Sequence, residues 1–129
     1  MSEDLVFVVG DSEGVPAGNY RGTFDRIDIV EDTEFAERAA RFVFKIETGE
    51  HGGRETSVLC TVVDDKGAAR KPTPKNKLGK VLAGLAGGPV EPGSQVRPAE
   101  HFGTSYLLTV EPTKSGAGTT VSTIFRDTA

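Results

Sequence analysis

The 129-residue chain contains one cysteine and no tryptophan. A single thiol, Cys60, cannot form an intramolecular disulfide and has no second thiol with which to hold a metal ion. The first residues, MSEDLVFVVGD, include acids and an apolar run of only five residues, so the basic and long apolar regions of a secretory signal are missing. These absences predict a soluble, cytoplasmic protein that does not enter a membrane.

Groups of residues that could carry out catalysis are also scarce. His51 and His101 fall in predicted loops without partners at metal-ligand spacing, so we expect both to be solvated. Asp64 and Asp65 close a predicted strand and are most simply turn residues. We therefore expect no cofactor, no metal and no enzymatic activity, and we expect Cys60 to be an unreactive core residue.

The composition is that of a loop-rich globular protein, with 36% hydrophobic residues, 26% charged residues, 16 glycines and 7 prolines. A chain of this length can bury about two thirds of its unfolded surface around one core. Turn-forming residues dominate Asp11–Asn19. We interpret residues 1–19 as an N-terminal arm or edge strand and residues 20–127 as a single folded domain.

Three strands are predicted in the first half of the chain. In YRGTFDRIDIV, Tyr20–Val30, the apolar residues change parity near Asp25, which predicts a bulge or a sharp bend there. RFVFKIE, Arg41–Glu47, alternates between apolar and polar residues, and RETSVLCTVVD, Arg54–Asp64, is rich in β-branched residues. The glycine-containing turn between them predicts a hairpin, and Glu31–Ala39 is interpreted as a polar connection.

One helix and two further strands are predicted in the second half. Thr73 is suited to be the helix N-cap, with Pro74 at the first helical position, and Gly87 with its neighbour Gly88 ends the helix before Pro89. The spacing predicts one apolar stripe, formed by Leu78, Val81, Leu82 and Leu85. The segments Phe102–Pro112 and Thr119–Arg126 are predicted to form a closing hairpin.

The order of three strands, one helix and two strands predicts an all-β fold: a five-stranded OB-fold barrel with one helix between strands 3 and 4. A bent first strand fits this fold, because a small barrel must coil its first strand to pair with two neighbours. An SH3-like barrel or a small α+β sandwich is the alternative. The position of the helix argues against that alternative.

Charge is distributed unevenly along the chain. The segment KGAARKPTPKNKLGK, Lys66–Lys80, holds six positive side chains and no carboxylate, while the whole chain has a formal charge of −4. Nine positive side chains and nineteen acids remain outside the segment, so its charge is +6 and that of the remainder is −10. Such a division predicts an anionic partner for Lys66–Lys80, which we call the basic segment.

In an OB-fold, the outer face of strands 2 and 3 and the adjoining loops bind oligonucleotides. Arg41, Val43 and Lys45 are expected to point outward there, because they alternate with the predicted core residues Phe42 and Phe44. The candidate nucleic-acid contacts are Arg41, Lys45, Arg54, Lys66, Arg70, Lys71, Lys75 and Lys77 for phosphates, and Phe35 and Tyr20 for bases. For each cation the simpler interpretation is a solvated surface, and for both aromatic residues it is core packing.

The chain also resembles a known group of proteins. The segments GNYRGTFDRIDIVED, RFVFKIETGEHGGRETS, KPTPKNKLGKVLAGLAGG and HFGTSYLLTVE are similar to those of small OB-fold proteins of phages and of bacteria carrying phage-like genes, which are described as single-stranded-DNA-binding-like. The resemblance covers nearly the whole chain and implies nucleic-acid binding. The chain departs from many single-strand binders in having no tryptophan.

Two functions are therefore carried forward. The first is a non-enzymatic protein that binds single-stranded DNA or RNA, mainly through phosphate contacts from the basic segment. The alternative is a protein-interaction or assembly module, in which the basic segment docks on an acidic partner or on a neighbouring copy in a homo-oligomer. A small enzyme would require His51 or His101 to converge with Asp64 or Asp65, and we expect no such convergence.

Overall fold

The computed structural model describes residues 15–31, 36–47, 49–73, 76–88, 95–113 and 118–126. Within these ranges the chain forms β1 (Gly18–Glu31), β2 (Ala36–Ile46), β3 (Glu55–Asp64), α1 (Lys77–Ala86), β4 (Ser105–Pro112) and β5 (Thr119–Arg126). A short 3₁₀ helix, Pro98–His101, precedes β4. Residues 1–14 of the predicted N-terminal arm lie outside the described residues.

The five strands form one antiparallel sheet in the order β3-β2-β1-β4-β5. The long strand β1 pairs with β2 along one edge and with β4 along the other, which requires the sheet to coil. Coiling brings β3 and β5 together, and the Thr120 hydroxyl of β5 donates a hydrogen bond to the Ser57 carbonyl of β3 at 3.1 Å. The result is a nearly closed barrel with its α-helix between strands 3 and 4, which confirms the predicted OB-like all-β fold.

A β-bulge at Asp25 bends β1. Phe24 pairs with Phe44, but Arg26 pairs with Val43, so Asp25 has no counterpart on β2. The predicted change of buried face is confirmed at Ile27, which packs against the core after the bulge, as Phe24 is fully buried before it. It is wrong at Ile29, which shares the parity of Ile27 but is 56% exposed. The extra residue shifts the alternation by one position, which is how one strand can face the core along both of its halves.

Aromatic residues fill the centre of the barrel. The ring of Phe44 lies 5.2 Å from that of Phe24 and 6.0 Å from that of Tyr106, and all three are fully buried. The Tyr106 hydroxyl donates a hydrogen bond of 2.6 Å to the Leu85 carbonyl in the last turn of α1. Burial raises the pKa of Tyr106, and the hydrogen bond gives its buried hydroxyl a partner.

Helix α1 closes one end of the barrel with the predicted apolar stripe, which is buried throughout. Its predicted start was wrong: the N-cap is Asn76 rather than Thr73, and the first helical residue is Lys77. The Asn76 side chain accepts a hydrogen bond from the Gly79 amide, which satisfies a helix N–H that Thr73 lies too early to reach. The predicted end is confirmed, because Gly87 adopts a left-handed conformation with φ 82° and donates its amide to Ala83.

Two strands begin three or more residues away from their predicted starts. Strand β2 begins at Ala36 rather than Arg41, because the second half of β1 pairs with Arg38–Arg41 and buries small alanines that carry little strand signal. Two irregularities around Arg38 further interrupt the alternation of β2. Strand β4 begins at Ser105 rather than Phe102, because the 3₁₀ helix and the following turn occupy the preceding residues.

Candidate nucleic-acid interface

The basic segment starts in a turn that folds back on β3. Asp64 ends β3, and its carboxylate accepts the amides of Ala68 and Lys66, both at 2.9 Å, which hold the pKa of Asp64 below its ordinary value. Ala69 pairs with Val63, so the chain runs antiparallel along the end of β3. The expectation that Asp64 is a turn residue is confirmed.

Asn76 then ties the middle of the basic segment to α1. Its side-chain oxygen accepts the Gly79 amide at 2.8 Å and the Thr73 amide at 3.1 Å, while its side-chain nitrogen donates to the Lys71 carbonyl at 2.8 Å. One side chain therefore ties the backbone at Lys71 and at Thr73 to the first turn of α1 at Gly79. As a result, Lys71 and Lys77 are held at defined positions on either side of the helix N-terminus.

The cations of the basic segment are exposed. Lys66, Arg70, Lys71, Lys77 and Lys80 are all open to solvent, and none forms an ion pair with another described residue. Lys75 lies outside the described part of the chain. Carboxylates stand near the first of these cations, because Asp64 and Asp65 precede Lys66 and the Glu37 carboxylate approaches Gly67. The uncompensated positive charge is therefore concentrated from Lys71 onward.

An open groove of about 600 Å³ lies between α1 and β5. Lys77 and Lys80 line its helix side, and Thr120, Ser122 and Thr123 line its strand side. Its floor is apolar and is formed by Val58, Val81, Val121 and Ile124. Two lysines beside an apolar floor are suited to an anionic chain, since each lysine can neutralise one phosphate. We call this the lysine groove.

The outer face of β2 and β3 is electrically balanced. Arg41 lies opposite Asp28 of β1, and Lys45 lies opposite Glu55 of β3, so each predicted cation faces a carboxylate on a neighbouring strand. Arg54, in the turn just before β3, is half-buried. The three cations predicted for this face are thus present at or near its surface, but they do not form a continuous positive track.

An ion-pair network around Arg26 occupies the same face. Its guanidinium bonds Glu55 at 2.7 and 3.0 Å, Asp25 at 2.8 Å and Asp28 at 3.2 Å. These contacts, with Glu55 and Asp25 the strongest, raise the pKa of Arg26 above its ordinary value. Val43 was expected to point into solvent, but it is buried, because the Arg26 and Glu55 side chains meet across its strand.

Neither aromatic candidate lies on that face among the described residues. Tyr20 is half-buried on the inner side of β1, its hydroxyl donates to the Pro16 carbonyl at 2.6 Å, and its ring lies 6.0 Å from that of His51. Phe35 lies outside the described residues. The simpler interpretation of Tyr20 as a packed residue therefore agrees with its position.

The sequence patterns missed Phe125, a residue of β5 that is 62% exposed. Strict alternation would put Val121, Thr123 and Phe125 on one face. A bulge shifts the register between Thr109 and Val110 of β4, so Val121 and Ile124 are buried and Phe125 is turned outward. The spacing of three residues between the apolar Val121 and Ile124 is the sequence signal that could have revealed this bulge.

The residue types that bind metals are dispersed in the described ranges. No group of three or more histidine, cysteine or acidic residues is placed to hold a metal ion in that part of the chain, and no described helix is long and apolar enough to cross a membrane. His51 and Asp64 stand at opposite ends of β3. Comparison with family models, curated proteins and solved structures finds no match, so the phage-like resemblance stays a prediction.

Proposed function

We propose that this chain is a non-enzymatic protein that binds single-stranded DNA or RNA through phosphate contacts from the basic segment. The observation that carries the proposal is the pair of exposed lysines, Lys77 and Lys80, on one wall of the lysine groove. They project from consecutive turns of α1, which is anchored to the barrel by its buried stripe. Rigid placement lowers the entropic cost of binding.

The charge distribution supports a partner that is anionic and follows a defined path. Outside the basic segment the chain carries a net charge of −10, which repels a polyanion over the rest of the surface. Phosphate neutralisation then occurs at few places, so we expect modest affinity, strong salt dependence and little sequence preference. The OB-like arrangement of the barrel also supports a binding role.

The direct test is fluorescence anisotropy of labelled oligonucleotides of equal length, as single-stranded DNA, single-stranded RNA and duplex DNA. Each is titrated with protein at low salt and again near physiological salt. The proposal expects single-strand-selective binding that weakens as salt rises. Absence of binding at low salt would reject it and favour the alternative, a protein-interaction module, for which size-exclusion chromatography at both salt concentrations measures self-association.

A further inference from the structure

The outer surface of β4 and β5 carries two large apolar side chains that face solvent. Leu107 and Phe125 are direct cross-strand partners, 45% and 62% exposed respectively. We call this pair the Phe125 platform. It borders an open recess of about 450 Å³, whose other side includes Arg21 of β1, the register partner of Leu107.

The Phe125 platform is adjacent to the lysine groove. Thr123 lines the groove and lies two residues before Phe125 on the same outer face of β5. Two residues of a strand span about 7 Å. An occupant of the lysine groove that passes Thr123 therefore needs only to follow the outer face of β5 to reach Phe125.

The two sites together select for an occupant with two properties. The groove is lined by two lysines that suit an anion, whereas the platform presents an exposed phenylalanine beside a leucine, with Arg21 on the other side of the recess. A single-stranded polynucleotide has both properties, because charged phosphates alternate with planar bases that stack on aromatic rings. Charge complementarity and continuity with the lysine groove thus favour this occupant.

The outer face of β2 and β3 lacks these properties. Its exposed charges pair with one another around Arg26, and the apolar Val43 at its centre is buried. Arg26 at that centre already pairs with Asp25 and Asp28, so its charge is not available to neutralise a phosphate. A nucleic-acid strand bound to the outer face of β2 and β3 would have to displace the ion pairs around Arg26. Binding on the Phe125 platform breaks none of these ion pairs.

We propose that bases of the bound single strand stack on the Phe125 platform while its phosphates occupy the lysine groove. This inference rests on the proposed function and assigns base contacts to β4 and β5 rather than to β2 and β3. It identifies Phe125 as the binding residue for bases, in place of Tyr20 and Phe35.

The absence of tryptophan makes the test direct. In Phe125→Trp the new indole is the sole tryptophan, and addition of an unlabelled oligothymidylate is expected to quench its emission by stacking. Ile29→Trp is the matched control, because Ile29 is also on a strand and 56% exposed, but lies near the far end of β1. Its emission is expected to stay nearly constant during the same titration.

Affinity measurements separate stacking from simple apolar contact. Phe125→Leu keeps an apolar side chain but removes the ring, and is expected to weaken oligothymidylate binding roughly 5- to 150-fold. Phe125→Tyr keeps the ring and is expected to bind as the parent protein does. Circular dichroism on each variant checks that the fold is retained, which the exposure of Phe125 favours.

Each contrary outcome has a separate meaning. If the parent binds in a salt-dependent way, but Phe125→Trp is not quenched and Phe125→Leu binds equally well, the platform is overturned while the proposed function stands. If the parent binds no oligonucleotide at low salt, both are overturned. If Phe125→Trp emission is already blue-shifted and size-exclusion chromatography gives a dimer, the platform is covered by a second copy and the inference is wrong.

Discussion

The Arg26 side chain of β1 and the Glu55 side chain of β3 meet across the intervening strand β2, with Nη1 to Oε2 at 2.7 Å and Nη2 to Oε1 at 3.0 Å. Val43, the β2 residue in register with Arg26, is only 2% exposed beneath this contact. This bidentate ion pair therefore links β1 to β3 across β2 on one face of the sheet. It stabilises the sheet there and leaves the face with little charge available for a polyanion.

The Arg26–Glu55 pair predicts a pH-dependent contribution to stability. Hydrogen bonds from Arg26 hold the pKa of Glu55 below its ordinary value. A group with a lowered folded pKa stabilises the protein above its unfolded pKa, about 4.3 for glutamate, and loses that contribution as pH falls through the folded pKa. Because both partners are more than a third exposed, we expect Glu55→Gln to lower the free energy of unfolding by about 0.5–1 kcal/mol at pH 7.

Urea unfolding of the parent and Glu55→Gln at neutral and acidic pH measures this contribution. The difference between them should shrink as pH falls below the ordinary glutamate pKa, because the parent then loses the charge that the variant lacks. Glu50→Gln, in the turn between β2 and β3, is the matched control and should show no such convergence. An unchanged difference at low pH would mean that the pair contributes through packing over Val43 rather than through charge.

Asn76 is predicted to control both helix stability and the position of the basic segment. Asn76→Ala removes the acceptor for the Gly79 and Thr73 amides, and we expect a loss of about 1 kcal/mol in the free energy of unfolding. Asn76→Asp keeps the acceptor but not the bond donated to the Lys71 carbonyl, so it should retain most of the stability. Urea unfolding of both variants tests this, and an equal loss in both would assign the effect to the Lys71 bond.

Burial predicts that the single thiol reacts slowly. Cys60 is 1% exposed, and burial raises its pKa to about 11, although Lys77 acts in the opposite direction. The thiolate that attacks disulfide reagents is therefore scarce at neutral pH. Ellman's reagent should label the native protein slowly and label it faster as urea unfolds it. Glu50→Cys supplies an exposed thiol as the control, and equally rapid labelling of Cys60 in native conditions would contradict its burial.

The sequence predicted local alternation well. It predicted poorly which residues are buried by side chains from other strands. Alternation around Phe44 and the change of parity near Asp25 depend on neighbouring residues, so the strands and the bulge of β1 could be predicted. Whether Val43 is exposed depends on side chains from β1 and β3, which the pattern of β2 does not contain. The prediction of the helix start failed because Thr73 and Asn76 are both good cap residues. Only the path of the folded chain decides which of the two reaches an open amide.

One part of the candidate site could be predicted from the sequence and the other part could not. The concentration of cations in the basic segment is a property of composition and was evident without a structure. The lysine groove could not be predicted, because it forms where α1 packs against β5. These two elements are separated along the chain by β4 and a long connection. Phe125 was hidden because the bulge near Thr123 is set by pairing with β4.

The last prediction concerns which cations neutralise phosphates. The double variant Lys77→Glu with Lys80→Glu reverses both lysines of the groove, and Arg41→Glu with Lys45→Glu is the matched reversal of two cations on β2. For single strands, each phosphate contact contributes about 0.7 to the slope of log affinity against log salt concentration. The groove variant should therefore bind more weakly at low salt, with a slope flatter by about 1.4, because two contacts are lost.

The β2 variant should lose less affinity, since its reversed side chains stand opposite Asp28 and Glu55 and were already balanced. Both variants change the net charge by the same amount, so a difference between them reports position rather than total charge. Anisotropy titrations of one labelled oligonucleotide over a range of salt concentrations give the two slopes. A flatter slope only in the β2 variant would move the phosphate contacts to the outer face of β2 and β3, and the lysines of the groove would then serve as a solvated surface.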